Sequence, residues 1–439
     1  MALDTQRLIR RLSWRIVPLI FILYIIAYVD RSAVSFAALT MNADLGLSAS
    51  AYGLGASMFF ISYLLFEVPS NLLLVKFGPR KWIARILVTW GIVTVATFAI
   101  QDEIGLYVAR FLLGAAEAGF FPAIILYISW WFPRAERTKI TTYFMLAVPV
   151  SSVIGAPLAT ATMTALDGAL MLEGWRWVFL VLGAPAVIMG FVCLKILKDQ
   201  PRDAKWLRPE ESSWLEMTLA AEKQEMETVK HYSLREGLTN PRVLLLAAVL
   251  LLWNCCNYGI IYWLPQIINA VVSDTQLVGW IVAAAWTLAA IGMALWGVRA
   301  NRTTDPVVPM SIVYSLGAVA LFAAGSLAAL PILQLVALIT ALIGLMSGIS
   351  IFWSIPTAFL TGTAAAGGVA LINSVGNFSG VIAPWGVGVI YDATGGYSAA
   401  MYIFGGLLVV SVLLAYVFRY VVRRDRIEAK SVPTVPAEQ

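Results

Sequence analysis

The sequence predicts an all-α membrane protein of twelve transmembrane helices, arranged as two pseudo-symmetric six-helix bundles. Three observations carry that expectation. Hydrophobic residues make up 60% of the chain against 13% charged, and the mean hydropathy is +0.82, which no soluble domain of this length shows. Runs of about 20 apolar residues, the length that crosses hydrocarbon, recur in two sets separated by one polar stretch. Finally, Lys and Arg gather on alternate loops.

The first six runs fall near 16–39, 51–74, 82–100, 105–130, 140–164 and 176–197. The second six fall near 243–269, 277–298, 307–327, 331–354, 364–391 and 398–421. This gives an N-terminal bundle over 1–197, a linker over 198–242, a C-terminal bundle over 243–422 and a tail over 423–439. The basic N-terminus (Arg7, Arg10, Arg11, Arg15), the clusters Lys76/Arg80/Lys81/Arg85 and Arg134/Arg137/Lys139, the linker, Arg299/Arg302 and Arg423/Arg424/Arg426 fall on one side. Opposite loops carry Asp44, Asp102, Glu103, Asp167, Glu173, Asp274 and Asp392, with Arg176 the only basic residue among them. The positive-inside rule then places both termini in the cytoplasm. No small-residue cleavage site follows the first run, so it reads as a retained span.

In the linker, Pro209-Glu210-Glu211 followed by Trp214, Leu215 and Leu219 predicts a short amphipathic helix under the membrane with a solvated charged face. The tail beyond Arg426, with Pro433 and Pro436, predicts disorder. The halves echo each other: Ser152-Val153-Ile154-Gly155-Ala156-Pro157 in the fifth run matches Ser379-Gly380-Val381-Ile382-Ala383-Pro384 in the eleventh. Gly78-Pro79-Arg80-Lys81 and Gly297-Val298-Arg299 occupy matching loops. Such a repeat predicts two bundles that rock about a central site.

Composition also excludes. The net charge of +5 sits in short loop clusters, not on a nucleic-acid-binding face. Cys193, Cys255 and Cys256 lie inside apolar runs with neither disulfide nor metal spacing, and the one histidine, His231, is in the linker. No phosphate loop, nucleophile elbow, zinc spacing or haem motif is present, so neither an enzyme nor a metal or organic cofactor is expected.

The first run contains its own contradiction: Asp30 and Arg31 lie in its middle. Asp30 stands roughly 21 Å along the helix, where a charge costs several kcal/mol unless paired or facing water. It is read either as part of an ion pair locking helices together or as a working group. Tyr24, Tyr28, Arg31 and Ser35 share one helical stripe, which should line a cavity, and Asp30 points about 100° away. In the fourth run Arg110, Gly114, Glu117 and Phe121 share a face. Two acids and two guanidiniums then sum to zero and stay charged only by mutual pairing, so protonating Asp30 or Glu117 frees an arginine for an anion. Protons are the expected coupling ion, carried by Asp30 and Glu117. Glu67, in the second run, reads as structural or gating.

The second half has no mid-span charge. Its seventh run offers Trp253, Asn254, Asn257, Tyr258, Tyr262, Trp263 and Gln266, and its tenth a stripe of Ser347, Ser350, Trp353, Ser354 and Thr357. Its eleventh carries Asn373, Gly376, Asn377 and Gly380 on one face. Gly376, Gly380 and Ser347 read as close packing. Asn257 and Asn377 need partners, because a buried amide without one is costly. Tyr28, Tyr63, Tyr258, Phe352 and Trp353 suit an aromatic acid; Asn257, Asn373 and Asn377 suit a hydroxy acid such as tartrate.

Several of these motifs together resemble the anion:cation symporters of the major facilitator superfamily: Tyr28-Val29-Asp30-Arg31, Glu67-Val68-Pro69-Ser70-Asn71-Leu72-Leu73, Trp82-Ile83-Ala84-Arg85, Arg110 to Phe121, Gly174-Trp175-Arg176-Trp177, Asp199 to Leu207 and Asn373 to Asn377. The resemblance covers nearly the whole chain and is nearest to bacterial tartrate, phthalate, galactonate and hydroxyphenylacetate transporters. It implies the major facilitator fold and proton-driven uptake of a small organic anion by alternating access; the expected partners are that anion, protons and the lipid bilayer, without nucleic acid, and the expected protein is a monomer in a bacterial inner membrane. It further implies coupling roles for Asp30 and Glu117, anion or charge-network roles for Arg31 and Arg110, and a substrate contact for Asn377. Two departures stand out: Val75 replaces the superfamily's gating acid, and Leu182 precedes Gly183 where relatives usually have Glu. A proton-coupled exporter or anion exchanger of the same architecture is the alternative. A membrane sensor would want a larger soluble domain than the linker, and a channel would want a ring of like charge.

Overall fold

The computed structural model describes residues 4–228, 240–300, 302–303, 305–359 and 362–431. Among them every regular element is helical. Eleven helices are long and apolar enough to cross a membrane. The remaining span, the eleventh in order, is divided into Gly362–Asn377 and Ser379–Thr394, each of 16 residues. The twelve-helix expectation therefore holds, with one span built from two half-helices. His231 and residues 432–439 lie outside the described residues. The last helix runs Ser398–Ser431, past Arg426, where an irregular tail was expected.

The first span is longer than its apolar run. It covers Thr5–Asp44, 40 residues with Pro18 inside, or about 60 Å at 1.5 Å per residue, twice the hydrocarbon thickness. Its extra turns survive because Leu8 and Leu12 are fully buried, and Asp4 caps the start by accepting the Arg7 N–H at 3.0 Å. The fourth span is Glu103–Glu117 followed by Phe120–Trp131. Gly119, at φ 87°, makes the break; a Cβ there would strike the Ser70 side chain.

The chain packs as two compact units. The first holds 1–229, 259–287 and 381–396; the second holds 230–258, 288–380 and 397–439. In the first, the third span packs along the sixth, the second against the fourth, and the first against the fifth and sixth. Small residues permit this: at Gly91 a side chain would meet the Val187 backbone. In the second, the ninth span packs against the tenth and twelfth. Third-on-sixth and ninth-on-twelfth are matching pairs of the predicted repeat.

The first unit also takes in the ends of the seventh, eighth and eleventh spans away from the basic loops. Tyr52 donates to the Tyr262 carbonyl at 2.8 Å and Trp263 to the Pro384 carbonyl at 3.0 Å. Asp392 accepts the backbone N–H groups of Ala49 at 3.1 Å and Ser50 at 2.8 Å, free donors at the start of the second span. In the second unit Trp253 donates to the Leu345 carbonyl at 2.9 Å, and Arg419 donates to Asp305 at 2.6 Å.

The linker helix runs Pro209–Thr228. Leu215 is buried, as the apolar face predicts, and Glu210 is exposed, but the expected solvated face is corrected at Glu211, which is buried. Glu211 pairs with Arg11 of the first span and accepts the Arg208 backbone N–H at 2.9 Å and guanidinium at 3.0 Å. Glu222 pairs with Arg137 at 2.8 Å. Burial pushes the Glu211 carboxyl up, but the Arg208 N–H and the two guanidiniums outweigh it and hold it below the usual range. These acids fasten the helix because arginines of the basic loops supply partners that water would otherwise replace.

Candidate functional site

Two clusters of the expected residues exist, one in each unit. In the first, Arg31 donates to Glu117, joining the first span to the fourth. The Arg31 guanidinium lies 5.3 Å from the Tyr28 ring centre, 5.1 Å from Phe59 and 5.6 Å from Tyr63, so one cation has an ion pair and three aromatic faces. Only Oε1 of Glu117 is engaged; Oε2 is buried without a partner. Arg31 Nε is likewise buried without a partner, so each end of the pair keeps one unsatisfied polar atom.

Among the described residues Asp30 does not join an ion pair. It is 1% exposed and accepts the Thr94 hydroxyl of the third span at 2.9 Å, while Oδ1 has no partner. Arg110, also 1% exposed, is in no ion pair among the described residues either. Its guanidinium reaches the Tyr262 hydroxyl at 3.5 Å and lies 5.0 Å from the Phe59 ring. Helix geometry explains this. Glu117 is two turns from Arg110 on one helix, about 10 Å along the axis, so the two share a face without touching. The expected four-charge pairing thus reduces, among the described residues, to one ion pair flanked by a hydroxyl-bound acid and a ring-stacked arginine.

The stripe of the first span is only partly a lining. Tyr28 and Arg31 are half-buried, whereas Tyr24 stacks on Phe144 at 4.1 Å and Ser35 donates to its own backbone at Ser32, 2.7 Å away. Both are packing groups. Ser70 accepts the Trp82 indole N–H at 3.0 Å, which anchors the segment after the half-buried Glu67.

In the second unit Tyr258 donates to the Asn377 side-chain carbonyl at 3.3 Å, linking the seventh span to the end of the first half-helix of the eleventh. Asn373 is one turn earlier and half-buried. Asn257 is 8% exposed with its carbonyl oxygen unpartnered. Trp353 caps the tenth span and meets Phe352 edge-on at 5.4 Å. Ser350 and Ser354 donate to their own helix, at Ser347 and Ile351; the Thr357 side chain lies outside the described residues. Helices also break here, after Asn377 and at Trp353, and broken spans leave backbone groups free to serve a binding site.

Thr94, Phe59 and Tyr262 belong to the first cluster but were not singled out as site residues. Thr94 carried no usable signal. Thr89 and Thr97 of the same stretch bond their own backbone at 2.8 and 2.9 Å, and nothing local distinguishes Thr94 from them.

The profile of the Major Facilitator Superfamily matches residues 20–384. A relative from Agrobacterium vitis, which carries the provisional name of a tartrate transporter, is 43% identical over 436 residues, covering 99% of this chain and 94% of its own. A quinolone resistance transporter of Acinetobacter baumannii is 40% identical over 425 residues, covering 97% and 98%. Among solved structures, a bacterial homolog of the human lysosomal transporter Spinster, in an inward-facing and occupied conformation, superposes with TM-score 0.73 at 17% identity over 96% of this chain and 98% of that one. At that identity the likeness speaks for the fold.

Proposed function

The chain belongs to the Major Facilitator Superfamily and is a multi-pass membrane transporter, and from that premise we propose that it is a proton-coupled symporter that takes up a small organic carboxylate by alternating access. The reading rests on one observation, the Arg31–Glu117 pair with its unpartnered carboxylate oxygen. A proton arriving on Glu117 neutralises the acid and releases the Arg31 guanidinium. That guanidinium then takes a carboxylate in the bidentate geometry the two groups share. One positive and one negative charge enter together, so the buried site keeps its net charge.

Asp30 is the second proton carrier, held in place by Thr94. Arg110 contributes positive potential from beside Phe59 and Tyr262. Tyr28 and Tyr63 supply aromatic faces. Asn257, Tyr258, Asn373, Asn377 and Trp353 supply the neutral hydrogen bonds and rings that a hydroxy acid, sugar acid or aromatic acid takes. The relative named for tartrate supports a hydroxy diacid as the first substrate to try. The division into six-helix bundles at the 198–242 linker describes the moving bodies. The protein works as a monomer in a bacterial inner membrane with both termini cytoplasmic, as the loop charges favour.

A second reading, proton-coupled export, is favoured by the relative named for quinolone resistance. Proteoliposomes separate them. Under an inward proton gradient, labelled tartrate or another carboxylate accumulates in symport and is driven out in antiport. In symport, an Asp30→Asn, Glu117→Gln double variant retains exchange without a gradient and loses accumulation. Concentrative uptake by that variant would place coupling elsewhere.

A further inference from the structure

A cavity of about 460 Å³ lies at the basic end of the first unit, bounded by the first, fourth and sixth spans and the start of the linker. It is remote from Asp30 and Arg31: Arg15 lines it, 16 residues before Arg31 and about 24 Å along the same helix. Its polar lining is lopsided. Apart from the Tyr127 hydroxyl, every polar side chain around it (Arg15, Lys195, Lys198, Trp131 and Trp206) donates hydrogen bonds and accepts none. Trp131 is 1% exposed, and its indole N–H is buried without an acceptor. Trp206 stacks on Trp131 at 6.0 Å, with Arg15 over its ring at 4.9 Å.

Among the described residues no carboxylate lies within 4.0 Å of Arg15, Lys195 or Lys198. The nearest acid in sequence, Asp199, is not on the lining; its Oδ1 accepts the Arg80 backbone N–H at 2.9 Å. Three cations and an orphaned indole around a space many times the volume of one water call for an anion with several acceptor oxygens. The level is that of lipid headgroups, where tryptophans and lysines collect, and basic pockets between spans on this side take phosphate headgroups. Ile196, on the lining, is 53% exposed and gives the mouth an apolar lip.

We propose that this cavity binds a phosphate-bearing anion, presented by the headgroup of an anionic glycerophospholipid. The phosphate accepts from Arg15, Lys195, Lys198 and the Trp131 indole, and the acyl chains leave over Ile196. Because Trp206 belongs to the linker, occupancy fastens the linker to the first, fourth and sixth spans.

The full chain, released from nanodiscs made of equal parts phosphatidylcholine and phosphatidylglycerol, is followed by native mass spectrometry. Wild type retains phosphatidylglycerol in preference to phosphatidylcholine. The Arg15→Gln, Lys195→Gln, Lys198→Gln variant binds it about a hundredfold more weakly, and Lys195→Gln alone, an exposed position, about fivefold. Lys81→Gln, an exposed cation outside the lining, leaves retention unchanged. If the delipidated protein instead binds glycerol phosphate in solution with the same variant dependence, the phosphate site stands and its ligand is soluble. Equal retention by wild type and both cavity variants, with no glycerol phosphate binding, overturns the proposal.

Discussion

The first span donates two arginines to buried glutamates, and the two pairs are built differently. Arg11 meets Glu211 of the linker helix at the basic end; Arg31 meets Glu117 in mid-span. Both acids are nearly inaccessible, their side chains 4% and 1% exposed. Glu211 has both oxygens satisfied, by Arg11 and by the backbone and guanidinium of Arg208. Glu117 has one guanidinium and an orphaned oxygen. The first arrangement is a fastening, in which each oxygen resists protonation. The second has a single ion-pair partner and one oxygen left over, which on the function proposed above is the pair that a proton opens.

The largest effect expected from breaking this contrast is at Arg31. Arg31→Gln leaves Glu117 buried without its cation and destabilises the protein by about 3–5 kcal/mol, with transport abolished. Adding Glu117→Gln recovers most of the stability and none of the coupled uptake. Thermal unfolding in detergent beside proteoliposome uptake checks both. A stable, transporting Arg31→Gln would show that the mid-span pair neither holds the two helices together nor carries the coupling.

The linker pair sharpens the comparison next. Glu211→Gln loses about 1.5–3 kcal/mol of local anchoring, as for hydrogen bonds to a charged group, while uptake retains its proton dependence. The same anchoring follows pH with a definite sign. The folded carboxyl is held below its unfolded value, so its contribution is full above about pH 4.3 and fades as the pH falls through the folded value. Limited proteolysis between the linker helix and the seventh span, from pH 7 downwards, reports it. Undocking as the pH rises would reverse the assignment.

The smallest effect belongs to the neutral cluster. Tyr258→Phe or Asn377→Ala removes one uncharged hydrogen bond, about 0.5–1.5 kcal/mol, so KM rises by about three- to tenfold with gradient-driven accumulation intact. Loss of coupling there would put proton chemistry in the half that has no mid-span charge.

Much of this was readable along the chain. Apolar runs gave the spans because hydrocarbon tolerates little else, and the position of Asp30 and Arg31 in one of them singled out the stretch where the structure places the Arg31–Glu117 ion pair. Helical periodicity also told Arg31 from Asp30, since 100° of rotation separates consecutive side chains. The Asn373–Asn377 face and the seventh-span Tyr258 were found the same way. Periodicity failed at the breaks: the fourth and eleventh spans read as continuous runs, because a residue such as Phe378 is as apolar as its neighbours and only its backbone departs from the helix.

The sequence by itself therefore determined how many spans there are, which loops are basic and which face of its own helix each polar residue occupies. Those are properties of one segment against one solvent. Tertiary structure alone decided the partners: Arg31 with Glu117, Asp30 with Thr94, Arg110 with Tyr262, Glu211 with Arg11. The periodicity of a helix fixes the direction of a side chain about its own axis, but it carries no information on which neighbouring helix stands there or at what height.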